Sequence, residues 1–501
     1  MIVLSEYFDE CKDRIRCNKL KDKLISADDA AMFIQNGMTI GCSGFTPVGY
    51  PKVMPIAIAE RAKKYGPVPL SVWSGSSSGK ELDETLALAG CIKCRYPYQS
   101  NNILRKMIND GSIDYSDYHL SMGGQNFRYG FYGKMDYALI EAVAITENGG
   151  IVPSFAVGDA PNFIKCADRV FIEMNISQPA GLEGIHDIFI PEDPPRRKPL
   201  MITGINDRIG HTEIECPINK IAGIVPSNIP DQGVSWRMGD STTNKIAMNL
   251  LDFLDIEVKN GKLPRNLLPL QFGVGRVAND AMSSFVNWPG CNLNFYSEVL
   301  QDGVLDIIDA GKLGYASGTS LTVTSFGRSR FLKKIDDYKK YILLRPEEIS
   351  NSPEIIRRLG VIAVNTAAEF DIYGHVNSTY SGNKIINGIG GSGDFARNAY
   401  LTIFICPSLR GAKRKSSVVY HCLHVDHTEH DVDVLITENG VADIRGLTRK
   451  NRARLIIEKC AHPQYKSNLL EQMNKDFEFR FSDKAVNCAD AEMFDIEEEN
   501  I

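Results

Sequence analysis

The chain has 501 residues, 43% of them hydrophobic and 24% charged, which is the balance expected of a globular protein with more than one domain. The formal net charge of −6 shows no basic excess, so no nucleic-acid partner is expected. No apolar run approaches the roughly 18 residues that a membrane-spanning helix needs, which argues against a membrane partner.

Two further features concern the cellular compartment. Twelve cysteines are scattered along the chain, a pattern typical of reduced, buried thiols rather than of a disulfide scaffold. The sequence from Met1 to Glu6 has neither the basic region nor the long apolar region of a secretory signal. We therefore expect a cytoplasmic protein, or one in an organelle matrix from which a targeting segment was removed.

The first half of the chain alternates between predicted helices and strands. Ser26 is a typical N-cap, and Gly37 stands where the helix that follows it would end. A second helix is predicted at 52–64, and strands are predicted at 38–42, 70–74, 137–145, 151–155 and 169–175. Such alternation favours an α/β domain with a mostly parallel sheet.

A loop-rich segment from Ile224 to Ser241 separates the two halves, and we predict domains at 1–228 and 229–501. The second half repeats the alternation, with a helix at 243–258, strands at 268–272 and 293–297, and helices beginning at Arg276 and Gly303. The predicted fold is therefore two tandem open α/β domains with mostly parallel sheets and the active site in the cleft between them. We interpret Trp236 as interdomain packing and the acidic stretch 495–500 as a solvated tail.

Glu298 is the first candidate for chemistry. It lies where a short predicted strand gives way to a helix, and the carboxyl ends of strands border the ligand crevice in open α/β sheets. A glutamate at such a place can be a general base, a nucleophile or a metal ligand. From position alone, however, a surface glutamate at a strand end is the commoner case.

Two glycine-rich turns precede predicted helices. In Asn387-Gly-Ile-Gly-Gly-Ser-Gly-Asp-Phe-Ala-Arg-Asn, the glycines allow a ligand to approach bare backbone N–H groups, which predicts an anion or oxyanion site. The other turn, Gln271-Phe-Gly-Val-Gly-Arg-Val-Ala-Asn, joins an apolar strand to a helix. Glu298 lies between the two turns in sequence, and acyl transfer needs a nucleophile beside backbone donors.

Three other patterns are weaker evidence for a functional site than Glu298 and the glycine-rich turns. Cys91-Ile-Lys-Cys94 is an isolated CxxC without a second pair, so a zinc or redox site is not favoured. The histidines of His424-Val-Asp-His-Thr-Glu-His do not share one helical face, and we interpret them as polar packing or as residues along a cleft. Gly75-Ser-Ser-Ser-Gly79 matches the short motif of serine hydrolases, but such a pattern arises easily in a loop of this composition.

Four blocks of sequence carry a family resemblance when they are taken together. They are Ser43-Gly-Phe-Thr-Pro-Val-Gly-Tyr-Pro, Phe295-Tyr-Ser-Glu-Val-Leu-Gln-Asp, the glycine block that begins at Asn387, and the histidine block that begins at His424. In this order they closely resemble the acetyl-CoA hydrolase/transferase family of class I CoA-transferases. Within that family the likeness is greatest to the succinyl-CoA:acetate CoA-transferases, and it runs from about residue 20 to about residue 470.

The resemblance implies that Glu298 is a catalytic nucleophile. In the family a glutamate in this block attacks an acyl-CoA to give a mixed anhydride and CoA thiolate, and the thiolate then attacks the glutamate carbonyl to leave a glutamyl-CoA thioester. A second carboxylate reverses these steps, so turnover is ping-pong. Succinyl-CoA and acetate are the expected substrates, while propionate, butyrate and 4-hydroxybutyrate stay open as acceptors.

The resemblance also implies roles for other residues. Asn351 matches the asparagine that positions the carboxylate, Gly391 matches a backbone oxyanion donor, and Lys413 is a candidate for a phosphate or pantetheine contact. The turn near CoA comprises Gly273, Val274, Gly275, Arg276 and Val277. No metal and no permanently bound cofactor is implied, coenzyme A thioesters are substrates, and a homodimer is expected.

Several questions stay open at this point. The chain departs from the family pattern at Phe272 and Arg276, where members usually carry smaller polar residues, and both could alter the acyl pocket. An acyl-CoA hydrolase needs only that water reach the intermediate on Glu298, and closure of the site decides this rather than sequence. A non-catalytic CoA-binding protein and a metal-dependent enzyme, the latter based on the histidine and cysteine patterns, are the remaining alternatives.

Overall fold

The computed structural model describes residues 8–235, 239–411 and 413–481, so that Trp236 and the acidic stretch 495–500 lie outside the described residues. Its helices of four or more residues outside the 3-10 turns are α1 Phe8–Asp13, α2 Ala27–Ala31, α3 Val53–Tyr65, α4 Asp83–Leu88, α5 Asn102–Asn109, α6 Gly123–Arg128, α7 Ala160–Cys166, α8 Ser241–Lys259, α9 Arg276–Ser283, α10 Asp302–Asp309, α11 Ser325–Lys333, α12 Ile335–Tyr338, α13 Glu347–Ser350, α14 Pro353–Leu359, α15 Ser392–Asn398, α16 Arg449–Cys460 and α17 Pro463–Phe481. None of the described helices is long and apolar enough to cross a membrane.

Seven parallel strands form the first sheet, in the spatial order β4-β3-β2-β1-β5-β6-β7. They are β1 Thr39–Cys42, β2 Leu70–Ser74, β3 Ile92–Tyr96, β4 Asp114–Tyr115, β5 Met135–Ala142, β6 Ala167–Asn175 and β7 Ile221–Ser227. The central strands are almost continuously buried, as in Ala138–Ala142, because helices cover both faces of a parallel sheet.

Eight strands form the second sheet, in the order β11-β10-β9-β8-β12-β13-β14-β15. They are β8 Leu270–Phe272, β9 Leu293–Tyr296, β10 Leu313–Gly318, β11 Ile342–Leu344, β12 Ile362–Thr366, β13 Leu401–Ile405, β14 Val434–Thr437 and β15 Gly440–Asp443, of which the last is antiparallel. The first seven strands repeat the strand order of the first sheet. This repeat confirms the prediction of two tandem open α/β units with mostly parallel sheets.

The position of the domain boundary stays a prediction. The first sheet ends at Ser227 and the second begins at Leu270, so the predicted division after residue 228 falls in the connection between them. The long helix Ser241–Lys259 in that connection packs against the second sheet.

Three predictions differ from the structure. The segment predicted as loop from Ile224 begins with the last residues of the strand Ile221–Ser227, which pairs at the edge of the first sheet. The helix after Ser26 ends at Ala31 rather than near Gly37, because the N–H groups of Phe33 and Ile34 bond to carbonyls three residues back and so tighten the chain into turns. The strand predicted at 151–155 is only Ile151–Val152. It pairs antiparallel with Ala144–Ile145 in a small hairpin outside the main sheet.

The two units meet along the carboxyl ends of their strands. The Thr46 hydroxyl, after the first strand of the first sheet, lies 2.8 Å from that of Thr322 in the second unit. Backbone bonds continue the contact, from Val157 N–H to the Thr319 carbonyl and from Leu321 N–H to the Phe155 carbonyl, both 2.9 Å long. Ligands bind at the carboxyl ends of strands in open α/β sheets, so this junction is where a site is expected.

Candidate active site

A cavity of about 340 Å³ lies at this junction. The first unit contributes loop residues that follow its strands, and the second unit contributes both glycine-rich turns and the end of β12. The lining residues are Thr46, Pro47, Ser76, Ser77, Tyr98, Ser100, Val234, Ser235, Gln271, Gly273, Val274, Glu298, Asn365, Thr366, Ser378, Asn387, Gly388, Ile389, Gly390, Gly391 and Ser392.

Glu298 lies in a bend two residues after β9. Its backbone carbonyl accepts a hydrogen bond of 2.8 Å from Thr319 N–H, and the preceding Ser297 N–H donates to the Ser317 carbonyl at 2.9 Å. The ends of two neighbouring strands therefore fix the backbone of this residue, and its side chain lines the cavity. The predicted position of Glu298 at a strand end is confirmed.

The environment of Glu298 disfavours its ionised form. Burial raises the pKa of this carboxyl to about 7, the nearby Asp394 acts in the same direction, and a hydrogen bond from Asn351 opposes both. Near neutral pH a substantial fraction of Glu298 is therefore ionised, while the carboxylate is more basic than an exposed glutamate. A nucleophilic carboxylate benefits from both properties.

Asn351 directly contacts Glu298. It follows the short helix Glu347–Ser350, its backbone N–H bonds to the Glu347 carbonyl at 2.8 Å, and its side chain is fully buried. The amide Nδ2 donates to Oε1 of Glu298 at 2.8 Å. The structure thus brings together two residues that are separated by 53 positions in sequence.

Gly391 lies against both Glu298 and Asn351. It is the residue before helix Ser392–Asn398, with φ −88°, so its backbone is open to any amino acid. A methyl group at this position would nevertheless lie 2.8 Å from Cδ of Glu298 and still closer to Oε1 and to Nδ2 of Asn351. Glycine is required here because the backbone approaches the reactive side chains closely.

The turn at 273–277 is only partly in the cavity. Gly273 and Val274 line it, and Gly275 has φ +132°, a conformation that favours glycine. Arg276 instead forms an ion pair of 3.0 Å with Asp240, and the side chain of Val277 packs against the hydrophobic core. The guanidinium of Arg276 is therefore engaged outside this cavity.

Neither Lys413 nor Phe272 lines the cavity that contains Glu298. Lys413 is exposed and lines a second cavity of about 490 Å³. The two cavities are neighbours in the chain, because Thr366 lines the first and Ala367 lines the second. Phe272 is fully buried and its ring packs against Phe285, so it supports the sheet rather than lining the acyl pocket.

Sequence reasoning placed the site between the two units but named no site residue in the first one. Ser76 and Ser77 line the cavity, although they belong to the glycine- and serine-rich loop to which we attached little weight. Tyr98 also lines it and its hydroxyl accepts a bond of 2.8 Å from Nδ2 of Asn387. The available signal was the position of the serines, which directly follow strand β2 at its carboxyl end.

The histidine block lies beside the cavity as polar packing. Nε2 of His427 is 3.2 Å from Oγ of Ser392, and His424 pairs with Asp426 at 3.0 Å. Asp426 in turn accepts from the backbone N–H of Ser378, which lines the cavity. Within residues 8–235, 239–411 and 413–481, no group of three or more His, Cys, Asp or Glu side chains is arranged to hold a metal ion.

A second buried carboxyl, Glu347, lies behind Asn351. Its side chain is fully buried, and neither carboxyl oxygen has a hydrogen-bond partner among the residues that the structure describes. Burial, together with Asp159 and Glu298, raises the pKa of Glu347 well above its usual range. The charged form of Glu347 is therefore disfavoured, and Glu298 lies near a second buried carboxyl group.

Comparison with known proteins adds independent information. Models of the acetyl-CoA hydrolase/transferase N-terminal and C-terminal domains match residues 8–225 and 327–473. The succinyl-CoA:acetate CoA-transferase of Clostridium kluyveri is 48% identical over 460 residues, which cover 91% of this chain and 86% of that protein. The acetyl-CoA hydrolase of Neurospora crassa is 42% identical over 476 residues, which cover 92% and 90%. The structure of RipA from Yersinia pestis has a TM-score of 0.73 at 20% identity, covers 94% of this chain and 99% of that one, and is similar in fold alone.

Proposed function

Since the chain belongs to the acetyl-CoA hydrolase/transferase family, and is thus an enzyme of CoA transfer or CoA-thioester hydrolysis, we propose that it transfers CoA between an acyl-CoA and a free carboxylate. Succinyl-CoA and acetate are the proposed pair. The observation that carries the proposal is the contact of Glu298 with Asn351 at 2.8 Å in a cavity between the two units, beside a glycine that leaves no room for a side chain.

The proposed reaction begins with attack of a Glu298 carboxylate oxygen on the acyl-CoA carbonyl. The C–S bond breaks, CoA leaves as a thiolate, and a mixed anhydride joins Glu298 to the acyl group. The thiolate then attacks the Glu298 carbonyl of the anhydride, which releases the first carboxylate and leaves a glutamyl-CoA thioester. The second carboxylate repeats these steps in reverse, so no proton has to be gained or lost overall.

Backbone groups around the cavity fit the needs of this reaction. Each tetrahedral intermediate carries an oxyanion, and we propose the N–H of Gly391 as one of its donors. Gly273 and Val274 are proposed to lie along the CoA thiol end, because both line the same cavity. Lys413, at the neighbouring cavity, is proposed to contact a phosphate or the pantetheine of the same CoA.

Hydrolysis of acyl-CoA is the second candidate, favoured by relatives named acetyl-CoA hydrolases such as that of Neurospora crassa. It would use the same Glu298 intermediate with water as the second nucleophile. The two functions differ in whether water reaches the intermediate as readily as a carboxylate does. We also propose a homodimer, on the basis of family resemblance. The scattered cysteines support the further proposal of a cytoplasmic or organelle-matrix protein.

An acceptor-dependence assay tests the function. Purified protein is given succinyl-CoA with and without acetate, acetyl-CoA is measured by chromatography, and free CoA is measured with a thiol reagent. We expect acetyl-CoA to form only with acetate, parallel lines in double-reciprocal plots, and slow CoA release without acetate. Equal release of free CoA with and without acetate would favour the hydrolase. If neither acyl transfer to any short carboxylate nor release of free CoA is found, both enzymatic functions are contradicted.

A further inference from the structure

Asp394 is a buried carboxylate that the proposed reaction does not use. It lies in the first turn of helix Ser392–Asn398, just after the glycine-rich turn, and only 4% of its surface is exposed. Its Oδ2 is 3.3 Å from Nδ2 of Asn351, and the same nitrogen donates to Glu298. Nδ2 of Asn351 is therefore within hydrogen-bond distance of two carboxylates, Glu298 and Asp394.

This arrangement determines how the Asn351 amide faces. An amide offers an NH2 donor on one side and a carbonyl acceptor on the other. If it were turned around, its oxygen would face Glu298 and Asp394 without a hydrogen to share. The hydroxyl of Ser350 donates to Oδ1 of Asn351 at 2.8 Å and holds that oxygen on the opposite side.

Ser121 holds Asp394 from the other unit of the molecule. It lies in the turn Leu120–Met122, 273 positions earlier in the chain. Its backbone N–H donates to Oδ2 of Asp394 at 3.0 Å, and its hydroxyl donates to Oδ1 at 2.6 Å. Hydrogen bonds to the charged form stabilise a carboxylate where burial alone would favour the neutral acid.

We propose that Asp394, held by Ser121, is a positioning residue for Glu298, because it orients the Asn351 amide toward the nucleophile and its negative charge makes the Glu298 carboxylate more basic. The proposal rests on the proposed function, since it concerns the same glutamate. It also means that the nucleophile is fully arranged only when the two units are in contact through Ser121.

Other titratable groups also face this pair. Burial raises the pKa of Asp394 above its usual range, while the hydrogen bonds from Ser121 and the nearby His119 favour its ionised form. Glu347 approaches from the neighbouring helix, and burial together with Glu298 raises the pKa of Tyr98 to about 12. The pKa of Tyr98 keeps its hydroxyl uncharged near neutral pH, and burial disfavours the charged form of Glu347. Among these groups, the negative charge that acts on Glu298 therefore comes from Asp394, in agreement with the raised pKa of Glu298.

The test is the pH dependence of thioester formation in a single turnover with succinyl-CoA. The wild-type rate should rise with pH as Glu298 ionises. In the Asp394→Asn variant the negative charge is lost. We therefore expect the rising limb of the pH–rate profile, where the rate increases as Glu298 ionises, to move to lower pH by about one unit. The new amide at position 394 can donate to Oδ1 of Asn351 as well as accept from its Nδ2, so it no longer fixes how Asn351 faces Glu298. The maximal rate at high pH should therefore fall about tenfold.

Two further variants separate this role from general damage. Asp117→Asn is the matched control, because Asp117 also accepts from the glycine-rich turn, at Ile389 N–H (2.8 Å), but does not contact Asn351. Its rising limb should stay at the wild-type pH. Ser121→Ala should shift the rising limb in the same direction as Asp394→Asn but by less, because Asp394 then takes up a proton more readily. If Asp394→Asn does not fold, Ser121→Ala tests the proposal in its place.

The outcomes distinguish the two proposals. A wild-type protein that forms no thioester contradicts the proposed function and this inference with it. A wild-type protein that forms the thioester, with Asp394→Asn or Ser121→Ala leaving the rising limb in place, contradicts the role of Asp394 alone. Thermal unfolding of each variant checks that the comparison is made between folded proteins.

Discussion

Glu298→Gln is expected to reduce CoA exchange by about 1,000-fold or more. Glutamine has the shape of glutamate, and its amide oxygen can still accept from Asn351, so the geometry around the site is kept. The amide is not a nucleophile, however, and no covalent intermediate can form. The measurement is the steady-state rate of acetyl-CoA formation from succinyl-CoA and acetate.

The same substitution should not lower stability at neutral pH. The folded-state pKa of Glu298 is raised from 4.5 to about 7, so the folded protein holds this proton more tightly than the unfolded chain does. Its contribution to the free energy of unfolding is therefore largest below about pH 4.5 and decreases as pH rises to about 7. A loss of rate in Glu298→Gln with an unchanged or higher unfolding temperature thus indicates a chemical defect.

Glu354→Gln is the matched control for this prediction. Glu354 lies on helix Pro353–Leu359, close in sequence to Asn351, and pairs with Arg358 at the surface. Removal of that charge should leave the rate within about twofold of wild type, as expected for an exposed ion pair. A Glu298→Gln protein with more than about a tenth of the wild-type rate would contradict the assignment of Glu298 as nucleophile.

Gly391→Ala is expected to lower kcat about 100-fold. The new methyl group would meet Glu298 and Asn351 at distances that side chains do not tolerate, so the carboxylate must move. A displacement of about 1 Å in a reacting group is enough for such a loss. Because φ at Gly391 is −88°, alanine introduces no backbone strain, and the effect reports on this contact.

Gly204→Ala controls for the exchange of glycine for alanine. A methyl group there would have its nearest atoms at 3.4 Å, in ordinary contact with Asn206 and Asp207, and no residue of the cavity is involved. Its kcat should equal that of wild type. If Gly391→Ala also kept the wild-type kcat, the close approach of this backbone to Glu298 would have no part in the reaction.

Local pattern was sufficient to predict the fold class, although not the order of the strands in each sheet. Alternating strands and helices can be recognised within short windows, and the strands at Thr39–Cys42, Leu70–Ser74 and Ala167–Asn175 lie within two or three residues of their predicted positions. The hairpin at Ile151–Val152 was predicted as a longer strand because an apolar run does not reveal which strand it pairs with.

The residues around Glu298 could be predicted only in part. Position alone made Glu298 an ordinary strand-end glutamate, and its proposed role, like those of Asn351 and Gly391, came from resemblance to a family. The contact between Ser121 and Asp394 spans 273 positions and depends on how the two units pack. The raised pKa of Glu298 likewise depends on burial that sequence does not reveal.

Trapping of the intermediate tests the central claim most directly. The protein is mixed with succinyl-CoA, its intact mass is measured, and a second sample is treated with borohydride and digested for peptide mapping. The proposed mechanism predicts a CoA-sized adduct that disappears on addition of acetate, and a reduced side chain at Glu298. Free CoA released with no adduct, or an adduct at a residue other than Glu298, would contradict the mechanism.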